Sequence, residues 1–117
     1  MSYDIHITRA NHWTESTESP ILLDELKALF SAKNDFEYSN TFSISSPIQI
    51  SINGDFFIWK ANDVMVPFRY FEGKLTVSGA DEGDVIDKMK EIASELNAKV
   101  QGDEGELYSN YPDISLS

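Results

Sequence analysis

Between Phe36 and Ser78 the chain is a succession of short alternating apolar and polar runs broken by turn dipeptides, a pattern met by strands joined through tight turns. Phe36, Tyr38, Phe42 and Ile44 are the apolar members of a first run ending at Ser45, and Pro47 marks an edge strand or a bend. Ile48, Ile50 and Ile52 share one face, and Asn53-Gly54 follows directly. Both residues accept the positive φ of a type I′ turn, so the pair predicts a hairpin returning through Phe56, Phe57, Ile58 and Trp59. Asn62-Asp63 turns the chain again. Val64 to Phe71 and Lys74 to Ser78 are then joined through Glu72-Gly73, a weaker two-residue hairpin signal.

Helical stripes flank this meander. Ser19-Pro20 predicts a helix start, with serine as cap and proline in the first turn, followed by Leu22, Leu23, Leu26, Leu29 and Phe30 along one side. Asn34-Asp35 ends it. Val85, Ile86, Met89, Ile92, Ala93 and Leu96 repeat with a period near 3.6. For this second helix Asp81 is the expected cap, and Asn97 the left-handed stop. At the outer ends, Tyr3, Ile5 and Ile7 alternate with Asp4, His6 and Thr8 as a half-buried strand. Residues 10–18 read as a loop, polar apart from Trp13, and Val100 to Tyr108 as a strand, a turn and a short return. The order implies one α+β domain over residues 1–117: a twisted, mainly antiparallel sheet with two helices on one face, and a loosely held tail at 109–117.

Composition then narrows the chemistry. The 117 residues include no cysteine, which excludes disulfides, thiol nucleophiles and thiolate metal sites. No basic, apolar leader opens the chain, and no stretch approaches the roughly 18 apolar residues of a membrane span. The expected setting is therefore cytoplasmic. Residues 1–80 hold ten acids and six bases, whereas residues 81–117 hold ten acids and three bases. With a net charge of −11, binding to nucleic acid or to an anionic membrane would work against the field of the whole molecule.

Few residues point to a reaction. Asp4 and His6 share a strand face, but a zinc site there lacks a third protein ligand. No G-x-S-x-G, S-x-x-K, G-x-G-x-x-G or P-loop pattern occurs, and Gly102 to Glu106 is too short for a calcium loop. No cofactor, metal or catalytic residue is expected. The aromatic run is more informative. Alternation places Phe56 with Ile58 on one face and Phe57 with Trp59 on the other, while Phe68 and Tyr70 oppose Arg69 and Phe71. A sheet with one face in water does not carry aromatics on both sides. Either helices cover both faces, which two short helices do not easily do, or one aromatic face meets a partner. Most of these residues are expected in the core, with Trp59 as the expected exposed member.

Two resemblances follow from the ends of the chain. Tyr3-Asp4-Ile5-His6-Ile7-Thr8-Arg9-Ala10 with Trp13, Pro20-Ile21, and later Ala98-Lys99-Val100, Gly102-Asp103-Glu104-Gly105-Glu106 and Tyr108 resemble a family of small uncharacterised bacterial proteins. That family usually ends its second helix with glycine where Asn97 stands here. In type, the acidic, cysteine-free chain is similar to immunity proteins of polymorphic-toxin and contact-dependent inhibition systems. This likeness implies a non-catalytic inhibitor of a basic toxin domain, with a nuclease as the fitting class. Trp59 is then the anchor, and Asp103, Glu104 and Glu106 the steering acids. The alternative is a small-ligand-binding protein or enzyme with a site on the sheet near Asp4, His6 and Arg69. A pocket at His6 lined by convergent polar groups separates the two.

Overall fold

The computed structural model describes residues 3–44, 49–61, 64–78 and 84–108. Among these residues seven strands form one antiparallel sheet: β1 (Asp4–Thr8), β2 (Phe36–Ile44), β3 (Ile50–Ala61), β4 (Val64–Phe71), β5 (Lys74–Ser78), β6 (Lys99–Gly102) and β7 (Leu107–Tyr108). Their spatial order is β2-β3-β4-β5-β1-β6-β7. A 3-10 segment, Trp13–Glu18, precedes α1 (Leu23–Ser31), and α2 (Asp84–Leu96) follows β5. This is the α+β architecture expected from the sequence.

Register decides which side chains meet the helices. Ile5 faces Val77, and Ile7 faces Leu75 on one side and Val100 on the other. Phe57 faces Phe68, and Phe36 faces Trp59. Alternation puts all of these on one side of the sheet, where they form a single core with Leu26 and Phe30 of α1 and Ile86, Met89, Ile92 and Leu96 of α2. Phe30 lies 4.4 Å from the Phe36 ring and 4.7 Å from the Phe57 ring. Each such aliphatic or aromatic burial stabilises the domain by roughly 1.5–3 kcal/mol. The period-3.6 stripe of α2 is thus the face turned to the sheet.

Three sequence expectations need correction. Asn53-Gly54 does not reverse the chain: both residues lie inside β3, Asn53 faces Thr41, and neither has positive φ. The chain runs on as strand, and the register with β2 shifts here, between the Ser39–Phe56 and Thr41–Asn53 pairs, so the irregularity at the pair is a bulge in the ladder and not a turn. The middle therefore holds one long β3 where two shorter strands were expected. Ser19 closes the 3-10 segment and does not cap α1, which begins with Leu22 at its cap position. There the Glu25 carboxylate accepts the Leu22 N–H at 3.1 Å, half of a capping box. Trp59, expected to be exposed, is 8% accessible and belongs to the core.

Other local expectations hold. Glu72 (φ 52°) and Gly73 (φ 84°) both take positive φ between β4 and β5, and Asn97 (φ 58°) ends α2 in the left-handed conformation. A Cβ on Gly73 would sit 2.8 Å from both the Pro20 Cβ and the Ser16 carbonyl oxygen, and the Gly73 carbonyl accepts the Ile21 N–H at 3.0 Å. The turn is therefore fixed by contact as well as by conformation. The expected Pro47 break, the Asn62-Asp63 turn, the Asp81 cap and the 109–117 tail lie outside the described residues.

Candidate functional site

The face of the sheet opposite the helices carries the residues out of phase with the core: Asp4, His6 and Thr8 of β1, Thr76 and Ser78 of β5, and Arg69 and Phe71 of β4. On the β1 side, the segment around Trp13 lies over this face. The Trp13 N–H donates to Gln101 Oε1 at 2.6 Å, and its indole Nε1–H donates to the Asp103 carbonyl at 3.1 Å. Its ring stacks on the His6 imidazole with centroids 4.2 Å apart and planes 16° from parallel. Ser16 and Thr8 are joined through their hydroxyls at 2.7 Å, and the Lys99 ammonium donates to the Ala10 carbonyl at 2.7 Å. A loop that reads as polar in sequence is thus pinned to the sheet at both ends.

His6 is consequently only 3% accessible. Its Nε2 lies 2.8 Å from Asp103 Oδ1 and its Nδ1 2.9 Å from Thr76 Oγ1. A carboxylate only accepts, so the neutral imidazole carries its proton on Nε2, and the Thr76 hydroxyl donates to Nδ1. Burial pushes the His6 imidazole below its ordinary value, against the upward pull of Asp103. Burial opposes the charge on Asp103 too, but the Asp4 N–H, donating at 2.9 Å, and the His6 ring outweigh it and hold this carboxyl below the usual range.

Carboxylate, imidazole and hydroxyl in this order are the elements of a general-base relay. Reaction would require an accessible hydroxyl and a donor pair for a developing oxyanion. Thr76 sits mid-strand, facing His6 on one side and Arg69 on the other, so its backbone belongs to the ladders. Together the three side chains clamp β1, β5 and the turn after β6. Among the described residues no three metal-ligating side chains converge.

Beside the clamp lies a hollow of about 260 Å³, with Trp13, His6 and Asp103 on one side and Arg69, Phe71 and Lys74 on the other. Asp4, Thr76 and Ser78 complete its lining. Phe71 is 50% exposed, and the Arg69 guanidinium lies 5.4 Å from its ring centroid and 6.0 Å from that of Phe56. Met65, in phase with Phe71 on β4, is also exposed. An aromatic second face therefore exists as the sequence implies, but its exposed member is Phe71.

The expected partner-binding residues are dispersed. Trp59 lies on the opposite, helix-covered face, where its indole donates to Asp35 Oδ2 at 3.1 Å and the Lys88 ammonium sits 5.4 Å from its ring centroid. Asp103 is engaged by His6 and the Asp4 N–H. The Glu106 carboxylate accepts the Tyr3 hydroxyl, and the Tyr108 hydroxyl at 3.3 Å. Its bond to Glu106 pushes the Tyr3 hydroxyl up to about 12. Glu104 alone of the three acids projects without a side-chain bond among the described residues.

Asp4, His6 and Arg69, named from strand faces, do line one hollow. Sequence reasoning missed Trp13, Lys74, Thr76 and Ser78 in its lining, and named Phe71 and Asp103 without placing them there. The signal available for Trp13 was its place as the lone aromatic residue in a polar loop. Comparison with family models, with curated proteins and with solved structures finds no match.

Proposed function

We propose that this chain is a non-catalytic binding protein, and that its binding element is the hollow between Trp13 and Phe71 on the open face of the sheet. The observation behind this reading is the convergence at His6 of polar groups whose positions are fixed by bonds within the protein. Rigid walls lower the entropy lost on binding, and a half-exposed aromatic ring beside convergent polar groups is the usual composition of a recognition site. A mixture of small anionic, cationic and neutral aromatic compounds, titrated into isotopically labelled full chain, tests it. Amide shifts should cluster at Trp13, Phe71, Thr76 and Ser78, and scattered shifts or none there would remove the hollow from the function.

Charge favours a second reading, in which the chain is a cytoplasmic immunity protein for a basic toxin domain. The net charge is −11, and Asp87, Glu91 and Glu95 line the exposed side of α2, with Glu104 exposed in the turn after β6. Such a field accelerates encounter with a cationic target, and Phe71 and Met65 replace Trp59 as candidate anchors. Co-expression with a toxin domain encoded beside this chain tests it by survival and co-purification. Dead cells and no retained polypeptide would end this second reading.

A further inference from the structure

We infer that the hollow takes the carboxylate of a small organic monoanion, with the Lys74 ammonium as its counter-charge and Trp13 and Phe71 against its apolar body. The inference rests on the reading of the hollow as the binding element and names the chemistry it would accept.

Lys74 carries the argument. Its side chain is 9% exposed, yet among the described residues its ammonium has only long contacts: the Phe71 carbonyl at 3.5 Å and Glu72 Oε1 at 3.7 Å. Three N–H donors are available there, and a charge taken out of water without close partners is costly. Two aromatic rings offset part of that cost, with the ammonium 5.9 Å from the Trp13 centroid and 5.4 Å from that of Phe71. Glu72 is a weak competitor, because its side chain is 57% exposed and an exposed pair at this distance contributes little. A ligand oxygen at hydrogen-bond distance from Nζ would be a closer partner than either present contact.

The other charges set the valence. Arg69 adds a second cation on the same face, whereas Asp4 and Asp103 place carboxylates in the lining and Glu72 stands beside Lys74. A single negative charge gains from Lys74 and Arg69 and meets limited repulsion. A phosphate dianion doubles attraction and repulsion alike, but the cost of stripping its hydration rises with the square of its charge, so the monoanion is the better match. The two rings suit a flat apolar body.

Benzoate, benzamide and inorganic phosphate are the probes, titrated into labelled full chain while the two indole N–H resonances are followed. Benzoate should shift Trp13 and the Phe71 and Lys74 amides, leaving Trp59 on the opposite face unmoved. Benzamide, its neutral isostere, should bind about tenfold more weakly, as should phosphate, and Lys74→Gln should erase the preference for benzoate over benzamide. If that variant fails to fold, salt supplies the same comparison on the unaltered chain: rising ionic strength should weaken benzoate and spare benzamide. Equal binding of benzamide, or phosphate as tight as benzoate, overturns the carboxylate assignment and leaves the hollow as binding element intact. If no probe moves Trp13, both fall.

Discussion

The Trp13 indole lies nearly parallel to the His6 imidazole, 4.2 Å away, and closes it off from solvent on the open face of the sheet. Trp13→Ala should therefore do two things. His6 should titrate closer to an ordinary histidine, since the burial that depresses it is relieved, and the domain should lose roughly 2–4 kcal/mol with the ring's packing and its bond to the Asp103 carbonyl. Histidine proton shifts against pH and urea unfolding measure both. An unchanged His6 titration would show that the indole is not what buries it.

Stability should fall in two stages on acidification. Burial lowers the folded His6 value against the pull of Asp103. The unfolded chain, near 6.5, thus takes up a proton before the folded one. The His6 contribution is present above about pH 6.5 and is lost as pH falls from there toward the folded value. Glu25 follows. The Arg9 guanidinium, bonded to both its oxygens at 2.7 and 2.8 Å, and the Leu22 N–H bring its carboxyl from 4.5 to about 2. Its contribution is present above about pH 4.5 and fades as pH falls through 2. Urea midpoints measured from pH 7.5 to 2 should show both stages, with Glu25→Gln shrinking the lower one, to which the lowered Asp103 carboxyl also contributes. A flat profile from pH 7 to 5 would contradict the His6 assignment.

What could be read from sequence was local. The alternation of β1, the stripe of α2, the left-handed stop at Asn97 and the Glu72-Gly73 turn depend on residues a few positions apart, and all four are present. Alternation also separated Phe56 and Ile58 from Phe57 and Trp59, but nothing local says which set the helices cover, and so Trp59 was placed on the wrong side. The site shows the same limit. His6 meets Thr76 across 70 positions and Asp103 across 97. Which carboxylate and which hydroxyl it would find depended on β1 pairing between β5 and β6, information carried by the packing of the whole sheet.

Two glycines separate local turn preference from tertiary control. Gly73→Ala should cost about 2 kcal/mol or more, because positive φ is strained for any Cβ and this one would overlap Pro20 and the Ser16 carbonyl. Gly54→Ala should stay within about 0.5 kcal/mol, since its backbone is extended and the nearest atom, on the Phe56 ring, is 3.4 Å away. Chemical denaturation of both variants decides it. Equal losses would return Asn53-Gly54 to a hairpin turn.

The α2 packing can be tested by two neighbours in the helix, one buried and one exposed. Ile92 is fully buried among sheet and helix side chains. Ile92→Ala should cost roughly 2–5 kcal/mol by emptying a site that close-packed neighbours only partly refill. Glu91 is exposed, 3.3 Å from the Lys88 ammonium and 4.0 Å from that of Lys33. Those are surface pairs, and Lys33 keeps Glu95 at 2.8 Å whatever happens to Glu91. Glu91→Ala should thus stay within about 0.5 kcal/mol. The denaturant slope should match the parent in both, because neither change alters how much surface unfolding exposes. Near-equal midpoint shifts would mean that α2 is rotated about its axis, with its acidic side against the sheet.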